Sequence, residues 1–350
     1  MSELSTAASL PGEAAAVPGA DRPATATAPG ARAVDRRAPG WTAGLDVGGT
    51  KVLATVLDPE GASHGTVRVP TVRGPEGVVA TAAQAVHDVA RRAGVDVASL
   101  DGVGVGVPGL VDPDDGSVTH AVNLGVDGAR FPLADRLSRA VGGVPVRVDN
   151  DLNVAALGAA HVMGADGTDL AFLALGTGLA AGIVLGGQVR RGVSGAAGEI
   201  GHIPVDPNGP ACACGQRGCV EVYASGSALG ARWPSRHGRP APAELFDAAA
   251  AGDPEARRIK DEFATAVASA VRILQLTVDV RHVVLGGGVS ALGEPLLDAV
   301  RGALESQART SPFLSSLRLA ERVSLAPADV PVAAVGAALV GRREEPSWRS

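Results

Sequence analysis

The pattern of hydrophobic and polar positions divides the chain into a short patternless start and a long patterned remainder. Residues 1–40 are rich in Ala, Pro, Gly, Thr and Arg without helical or strand periodicity, which predicts a disordered tail. After it, short apolar runs typical of strands alternate with helical patterns. The predicted strands are 41–47, 51–57, 103–107, 144–148, 170–175, 180–185, 188–190 and 283–285, and the predicted helices are 77–93, 131–141, 224–232, 243–251, 254–277, 295–306 and 332–340.

Two strand–loop–strand sets resemble each other, one at Asp46 and one at Gly176. Such a repeat indicates an internal duplication and therefore an α/β chain with two lobes around a cleft. We expect the first lobe at 41–150 and the second at 151–330.

Composition narrows the classes of protein to consider. The 350 residues include 31 Lys and Arg against 37 Asp and Glu, a net charge of −6, which gives no electrostatic footprint for nucleic acid. No apolar run is long enough for a membrane helix and no signal-peptide pattern opens the chain. With only 3 cysteines, gathered in one place, a reducing cytoplasm is expected.

That cysteine cluster is the strongest chemical signal. Cys212, Cys214 and Cys219 fall within eight residues, and His202 precedes them by ten, on a loop rich in Gly and Pro. Three thiolates and one imidazole suit a tetrahedral, structural zinc site. A disulfide is the alternative, which the odd cysteine count and the strained Cys-x-Cys spacing disfavour.

Two carboxylates bracket this loop. Glu199 lies three residues before His202, and Glu221 lies two residues after Cys219. Folding of the loop on zinc would bring both carboxylates beside the imidazole, whose second nitrogen stays free for a ligand. Carboxylates in such a place accept hydrogen bonds from vicinal hydroxyls, whereas two solvated glutamates are the plainer interpretation.

Glycine turns follow three predicted strands. A turn of this kind presents backbone N–H groups to phosphate without side-chain obstruction, and a glycine run between a strand and a helix suits the purine face and α-phosphate of a nucleotide. The residues singled out are Gly48, Gly49, Thr50 and Lys51 in the first turn, Gly176, Thr177 and Gly178 in the second, and Gly286, Gly287 and Gly288 before the helix at 295–306.

These motifs together resemble the ROK family (repressors, uncharacterised open reading frames and sugar kinases). The likeness covers about residues 41–341 and rests on LDVGGTKVLATVLD, DNDLN, GTG, GEIGH with CxCGxxGCxE, and GGGVS, in that order. It implies two actin-like, ribonuclease H-like lobes of the hexokinase-type ATPase superfamily, with a final helix at about 331–341 returning to the first lobe.

The resemblance also assigns roles to residues. Asp46 would hold Mg²⁺ through water, Asp151 would take the proton from the sugar hydroxyl, and Asn123 and Asn150 would bind the sugar. The residues themselves also fit Asp151 or a neighbour as a helix N-cap. After Gly178 this chain has Leu-Ala-Ala-Gly where the family continues with alternating glycines.

The implied function is ATP-dependent phosphorylation of a hexose at the 6-hydroxyl, with glucose as the expected substrate. Kinases of N-acetylmannosamine and other hexoses share the same frame, and polyphosphate is an alternative donor. A non-catalytic sugar sensor or transcriptional regulator is the other class, which the patternless start and the acidic balance oppose. A dimer or tetramer is expected.

Overall fold

The computed structural model describes residues 40–126, 128 and 130–342, so the predicted tail lies outside the described residues except for Gly40. Two five-stranded sheets organise this part of the chain. The first contains β1 (Thr42–Val47), β2 (Lys51–Leu57), β3 (Ser63–Pro70), β4 (Gly102–Val107) and β7 (Val146–Asn150), and a small hairpin is formed by β5 (Leu110–Asp112) and β6 (Ser117–Thr119). The second contains β8 (Leu170–Leu175), β9 (Leu179–Leu185), β10 (Gln188–Val189), β11 (His282–Gly286) and β12 (Val323–Leu325).

The two sheets have the same topology. Their strand orders are β3-β2-β1-β4-β7 and β10-β9-β8-β11-β12. In each, the first three strands along the chain pair antiparallel and the last two join in parallel. The predicted duplication is therefore present at the level of strand order.

Helices cover the sheets and separate cores form around each. They are α1 (Pro75–Ala93), α2 (Leu133–Ala140), α3 (Asp151–Val162), α4 (Glu221–Ala224), α5 (Gly226–Arg232), α6 (Ala241–Ala250), α7 (Pro254–Val278), α8 (Glu294–Ala308), α9 (Pro312–Leu317) and α10 (Val332–Gly341). One core joins the first sheet to α1 and α2, and another joins the second sheet to α6, α7 and α8. Both consist mostly of Val, Leu and Ala, as the low aromatic content predicts.

One predicted helix is wrong. The segment 224–232 is not continuous, because Ser225 is extended (φ −101°, ψ 161°) and separates α4 from α5. Its hydroxyl accepts a hydrogen bond from Ala228 N and so caps α5. The break brings Gly226 N within 2.7 Å of the Gly176 carbonyl, next to the second glycine turn.

The last helix, α10, lies against both β1 and β4 of the first sheet and against α3, and glycines permit this approach. A Cβ on Gly104 would stand 1.7 Å from Ala337 O, and one on Gly158 would stand 1.8 Å from Val332 O. Gly336 meets α3 in the same way, with Val154 O at 1.8 Å from its Cβ position. Within the described ranges, no helix combines the length and apolarity needed to cross a bilayer.

Candidate active site

The register of the first sheet brings two of the predicted acidic residues to one edge. Asp46 pairs with Gly106 of β4, and Gly106 pairs with Asp149 of β7, so the three form one row across parallel strands. Asp151 follows two residues later, as the first residue of α3. The glycine in the middle of the row allows α3 to begin close to β4, since a Cβ there would lie 2.4 Å from a methyl group of Val154.

The first glycine turn joins β1 and β2 beside Asp46. Gly48 N donates to Lys51 O at 2.9 Å, which closes the turn, and Thr71 Oγ1 donates to Gly48 O at 2.7 Å. A Cβ on Gly49 would stand 2.8 Å from Asn123 O, so only glycine fits there. Asn123 thus lies against the predicted phosphate-binding turn. It is exposed and belongs to a short 3₁₀ helix, Val122–Leu124.

Asn150 caps α3, which agrees with the plainer of the two interpretations of this motif. Its Oδ1 accepts from Leu152 N at 2.9 Å, and its Nδ2 donates to Gly109 O at 3.2 Å. Asp151 Oδ1 also accepts from Leu152 N, at 3.0 Å. Each side chain keeps further hydrogen-bonding capacity, since an amide or carboxylate oxygen has two lone pairs and an amide nitrogen two hydrogens.

The environment makes both carboxyl groups of this edge more basic. Burial, reinforced by the charge of Asp151 and opposed by Lys51, raises the pKa of Asp46 from 3.8 to about 6. Burial also raises the pKa of Asp151, partly offset by backbone N–H donors, and the charge of Glu199 adds to the increase. Glu199 belongs to the segment that follows β10 of the second sheet, so a group from the second half of the chain acts on Asp151 here.

The two remaining glycine loops meet at the edge of the second sheet. Gly286 pairs with Ala174 of β8, and the next residue, Gly287 (φ +83°), would place a Cβ 2.7 Å from Leu175 O. The loop 286–288 therefore lies beside the loop 176–178, where Gly176 N donates to Gly178 O at 3.0 Å. The alanines after Gly178 leave the antiparallel register of β8 and β9 regular.

The predicted metal ligands converge. Candidate ligand atoms of His202, Cys212, Cys214 and Cys219 all lie within 4.8 Å of one another. His202 Nδ1 is 3.7 Å from Cys212 Sγ, and Cys214 Sγ is 3.7 Å from Cys219 Sγ. Ligands about 2.3 Å from a tetrahedral zinc are separated by roughly 3.8 Å, so the set fits zinc. All three cysteines of this loop are free thiols in the structure.

Hydrogen bonds and burial shift the pKa values of two of these thiols in opposite directions. The backbone and side-chain N–H groups of Gln216 lower the pKa of Cys214 to about 6, whereas burial and the neighbouring thiols raise the pKa of Cys219 to about 12. Gln216 Nε2 also donates to His202 O at 3.0 Å, which fixes the loop around the ligands.

The two glutamates that bracket the loop face different partners. Glu199 Oε2 lies 3.9 Å from His202 Nε2, the ring nitrogen turned away from the cysteines. Glu221 Oε2 instead accepts from the N–H of Leu179, directly after the loop 176–178, at 2.9 Å. The Glu221 Cβ also lies close to Gly201, 3.4 Å from where a Cβ on that glycine would stand. The second glutamate therefore connects the cysteine loop to the glycine loop.

Three residues at the site, Asp149, Arg191 and Ser225, were not singled out by the sequence analysis, although Asp149 opens the DNDLN motif. Asp149, which is buried, forms an ion pair with the partly exposed Arg191. Ser225 separates α4 from α5 next to Gly176. The position of Asp149 at the end of a buried strand hints at its importance. Arg191, one of 31 basic residues, offers no such hint.

Comparison with known proteins identifies the family. The ROK family matches residues 42–342, and the chain belongs to that family. A glucokinase of Halalkalibacterium halodurans is 35% identical over 287 residues, which is 77% of this chain and 86% of the relative. An N-acetylmannosamine kinase of Yersinia pseudotuberculosis is 33% identical over 245 residues, 70% of this chain and 82% of the relative.

A solved structure extends the likeness to the fold. The ROK family glucokinase of Streptomyces griseus, in complex with glucose and AMPPNP, superposes with a TM-score of 0.69 at 33% identity, covering 86% of this chain and 99% of that one. The predicted family, the actin-like fold class and the prediction of a sugar kinase are confirmed.

Proposed function

We propose that the protein phosphorylates a hexose at its 6-hydroxyl with ATP, and that the hexose is glucose. The observation that carries this proposal is the strand register that brings Asp46 and Asp151 to one edge of the first sheet, beside the first glycine turn. The charge of Glu199, from the second half of the chain, adds to the increase in the pKa of Asp151. The Streptomyces griseus relative with glucose and AMPPNP supports the choice of both substrates.

Glu199, His202 and Glu221 bind the hydroxyls at the C1–C3 end of the sugar, with Asn123 and Asn150 supporting the rest. Asp151, made more basic by its surroundings, accepts the proton of the 6-hydroxyl. The freed oxygen forms a bond to the γ-phosphorus as the bond from that phosphorus to the bridging oxygen of ADP breaks.

The glycine loops bind the nucleotide. N–H groups of 48–51 and 176–178 hold the phosphates, and 286–288 faces the adenosine. Asp46 supplies the carboxylate oxygens that Mg²⁺ prefers, and Mg²⁺, when bound, neutralises phosphate charge. His202, Cys212, Cys214 and Cys219 would hold a structural zinc ion, and its binding would orient the imidazole and the glutamates beside it.

An N-acetylmannosamine kinase is the second candidate, because the Yersinia pseudotuberculosis relative matches most of the chain at nearly the same identity. A coupled ADP-release assay with MgATP against glucose, mannose, fructose and acetamido-hexoses separates the two. We expect turnover on glucose, with weaker turnover on mannose. Turnover confined to an acetamido-hexose would replace the substrate, and none on any sugar in a folded, zinc-containing protein would contradict the kinase.

Metal analysis of the same preparation tests the zinc site, with one zinc ion expected per chain. Replacing ATP by polyphosphate in the same assay tests the donor. An oligomeric assembly and a cytoplasmic location stay predictions.

A further inference from the structure

An ion pair with a buried carboxylate and a partly exposed guanidinium links the two halves of the proposed sugar site. The side chain of Asp149 is only 3% exposed, and that of Arg191 is 33% exposed. The guanidinium donates from Nη2 to Oδ2 in a short contact and from Nε to Oδ1 at 3.4 Å. A fork that engages both carboxylate oxygens fixes orientation as well as distance.

On one side, the pair fixes the turn that carries Asp151. Asp149 Oδ1 also accepts from the backbone N–H of Asn150 at 2.8 Å and from Asn153 Nδ2 at 2.9 Å. Asn150 then caps α3 through Leu152 N. The position of Asp151 therefore depends on how the Asp149 carboxylate is held.

On the other side, the pair fixes the segment that carries Glu199. The Arg191 carbonyl accepts from Ala197 N at 3.2 Å, and the Ala196 carbonyl accepts from Glu199 N at 3.3 Å. The carbonyl of Gly198 (φ +97°) accepts from Ala181 N at 2.8 Å, and this hydrogen bond connects the segment to β9. These backbone hydrogen bonds connect Arg191 to Glu199 within one short segment.

We propose that Arg191 and Asp149 act as a positioning clamp that sets the separation between Asp151 and Glu199, and through it the affinity for the hexose. The clamp rests on the proposed function, in which Asp151 and Glu199 contact opposite ends of one sugar. A ligand held at both ends is sensitive to their spacing, and a displacement of about 1 Å can cost roughly 100-fold in rate.

A purely structural role is the competing explanation. Loss of the guanidinium leaves a desolvated carboxylate without its partner, which destabilises a protein whatever the pair does for substrate. The two roles separate when the carboxylate is neutralised as well. In Asp149→Asn the amide oxygen can still accept from Asn150 and Asn153, while the buried charge is gone.

The test compares Arg191→Met, the double variant Arg191→Met with Asp149→Asn, and Arg191→Lys, using wild type as reference. Arg190→Met is the matched control, because Arg190 is adjacent and exposed, and its Nη2 contacts Leu185 O at 3.5 Å. Measurements are kcat, the KM values for glucose and MgATP, glucose affinity by calorimetry, and Tm.

We expect Arg191→Met to lower Tm and to weaken glucose binding by about 10- to 100-fold, the effect of losing one hydrogen bond to a charged group, with the MgATP KM within about twofold of wild type. The double variant should recover Tm but not glucose affinity. Arg191→Lys should recover part of the affinity, and Arg190→Met should match wild type.

Recovery of both Tm and glucose affinity in the double variant would overturn the clamp and leave a structural ion pair. Wild-type glucose affinity in Arg191→Met would do the same. If Arg191→Met does not fold, the double variant alone decides. A wild-type protein that neither binds nor phosphorylates any hexose would contradict the proposed function, and the clamp with it, whereas an active wild type with unaffected variants contradicts the clamp alone.

Discussion

Single residues of the proposed site combine a structural bond with free capacity for a ligand. The backbone N–H of Leu152 donates to side-chain oxygens of Asn150 and Asp151. The backbone N–H of Leu179 donates to the side chain of Glu221. Such bonds fix the rotamer in advance, so that less ordering is left for substrate binding. A residue at such a position can be a helix cap and a substrate ligand at the same time.

Asp151→Asn tests the general base. Asparagine preserves the shape of the side chain and can still accept from Leu152 N, but it cannot take a proton. We expect kcat to fall by about 100- to 10,000-fold, the usual contribution of a general base. Tm should not fall, because burial opposes the charge that the substitution removes.

Asp135→Asn is the control for this prediction. Asp135 pairs with Arg139 on the exposed face of α2, with a side chain 54% exposed, and surface pairs of this kind contribute little. Its kcat should equal that of wild type. Turnover of Asp151→Asn within about tenfold of wild type would remove Asp151 from the base role.

At the scale of elements, burial decides which parts of the fold could be predicted. The core strands β1, β2, β8 and β9 were predicted to within a residue or two, because they are apolar on both sides of the pleat. The edge strand β3 was missed, since most of its positions are exposed and polar. The short strands β5, β6 and β12 were missed as well, each being only three residues long.

The crossing of α3 and α10 yields a prediction for glycine. Gly158→Ala would place a methyl group 1.8 Å from Val332 O and 2.6 Å from Gly336 N, both backbone atoms that cannot rotate away. We expect the free energy of unfolding, measured by urea denaturation, to fall by at least about 1–3 kcal/mol, the cost of overpacking.

Gly302→Ala provides the matched control for the crossing. Gly302 lies inside α8, and nothing lies within 4 Å of its Cβ position. Alanine is favoured over glycine in a helix by up to about 1 kcal/mol, so this variant should be more stable than wild type. Equal effects of the two substitutions would mean that the close helix contact does not exist in solution.

At the scale of the whole molecule, local motifs were predictable and contacts distant in sequence were not. The cysteine loop was recognisable because its four ligands fall within eighteen residues, and they converge. The bond from Leu179 to Glu221 and the pair of Asp149 with Arg191 each span 42 residues. Contacts of this range depend on how distant segments pack in three dimensions, which periodicity does not determine.

The burial of Asp46 makes the stability of the whole fold depend on pH. Burial and the charge of Asp151 raise the pKa of Asp46 to about 6, against 3.8 for the ordinary side chain. The folded protein therefore holds a proton that the unfolded chain releases, and stability falls as pH rises between these values. The difference corresponds to roughly 3 kcal/mol above pH 6 and vanishes below about pH 4.

Asp46→Asn removes this penalty and should raise Tm at pH 7.5, with the gap from wild type closing between about pH 6 and pH 4. Thermal scans across this range measure the difference in Tm. The zinc site, which also responds to acid, is common to both proteins and cancels in the difference.

Mg²⁺ with a nucleotide analogue should narrow the gap in Tm at pH 7.5, because a cation bound at Asp46 stabilises wild type alone. A gap independent of pH would mean that Asp46 is not desolvated, and a gap that Mg²⁺ leaves unchanged would mean that the cation binds elsewhere.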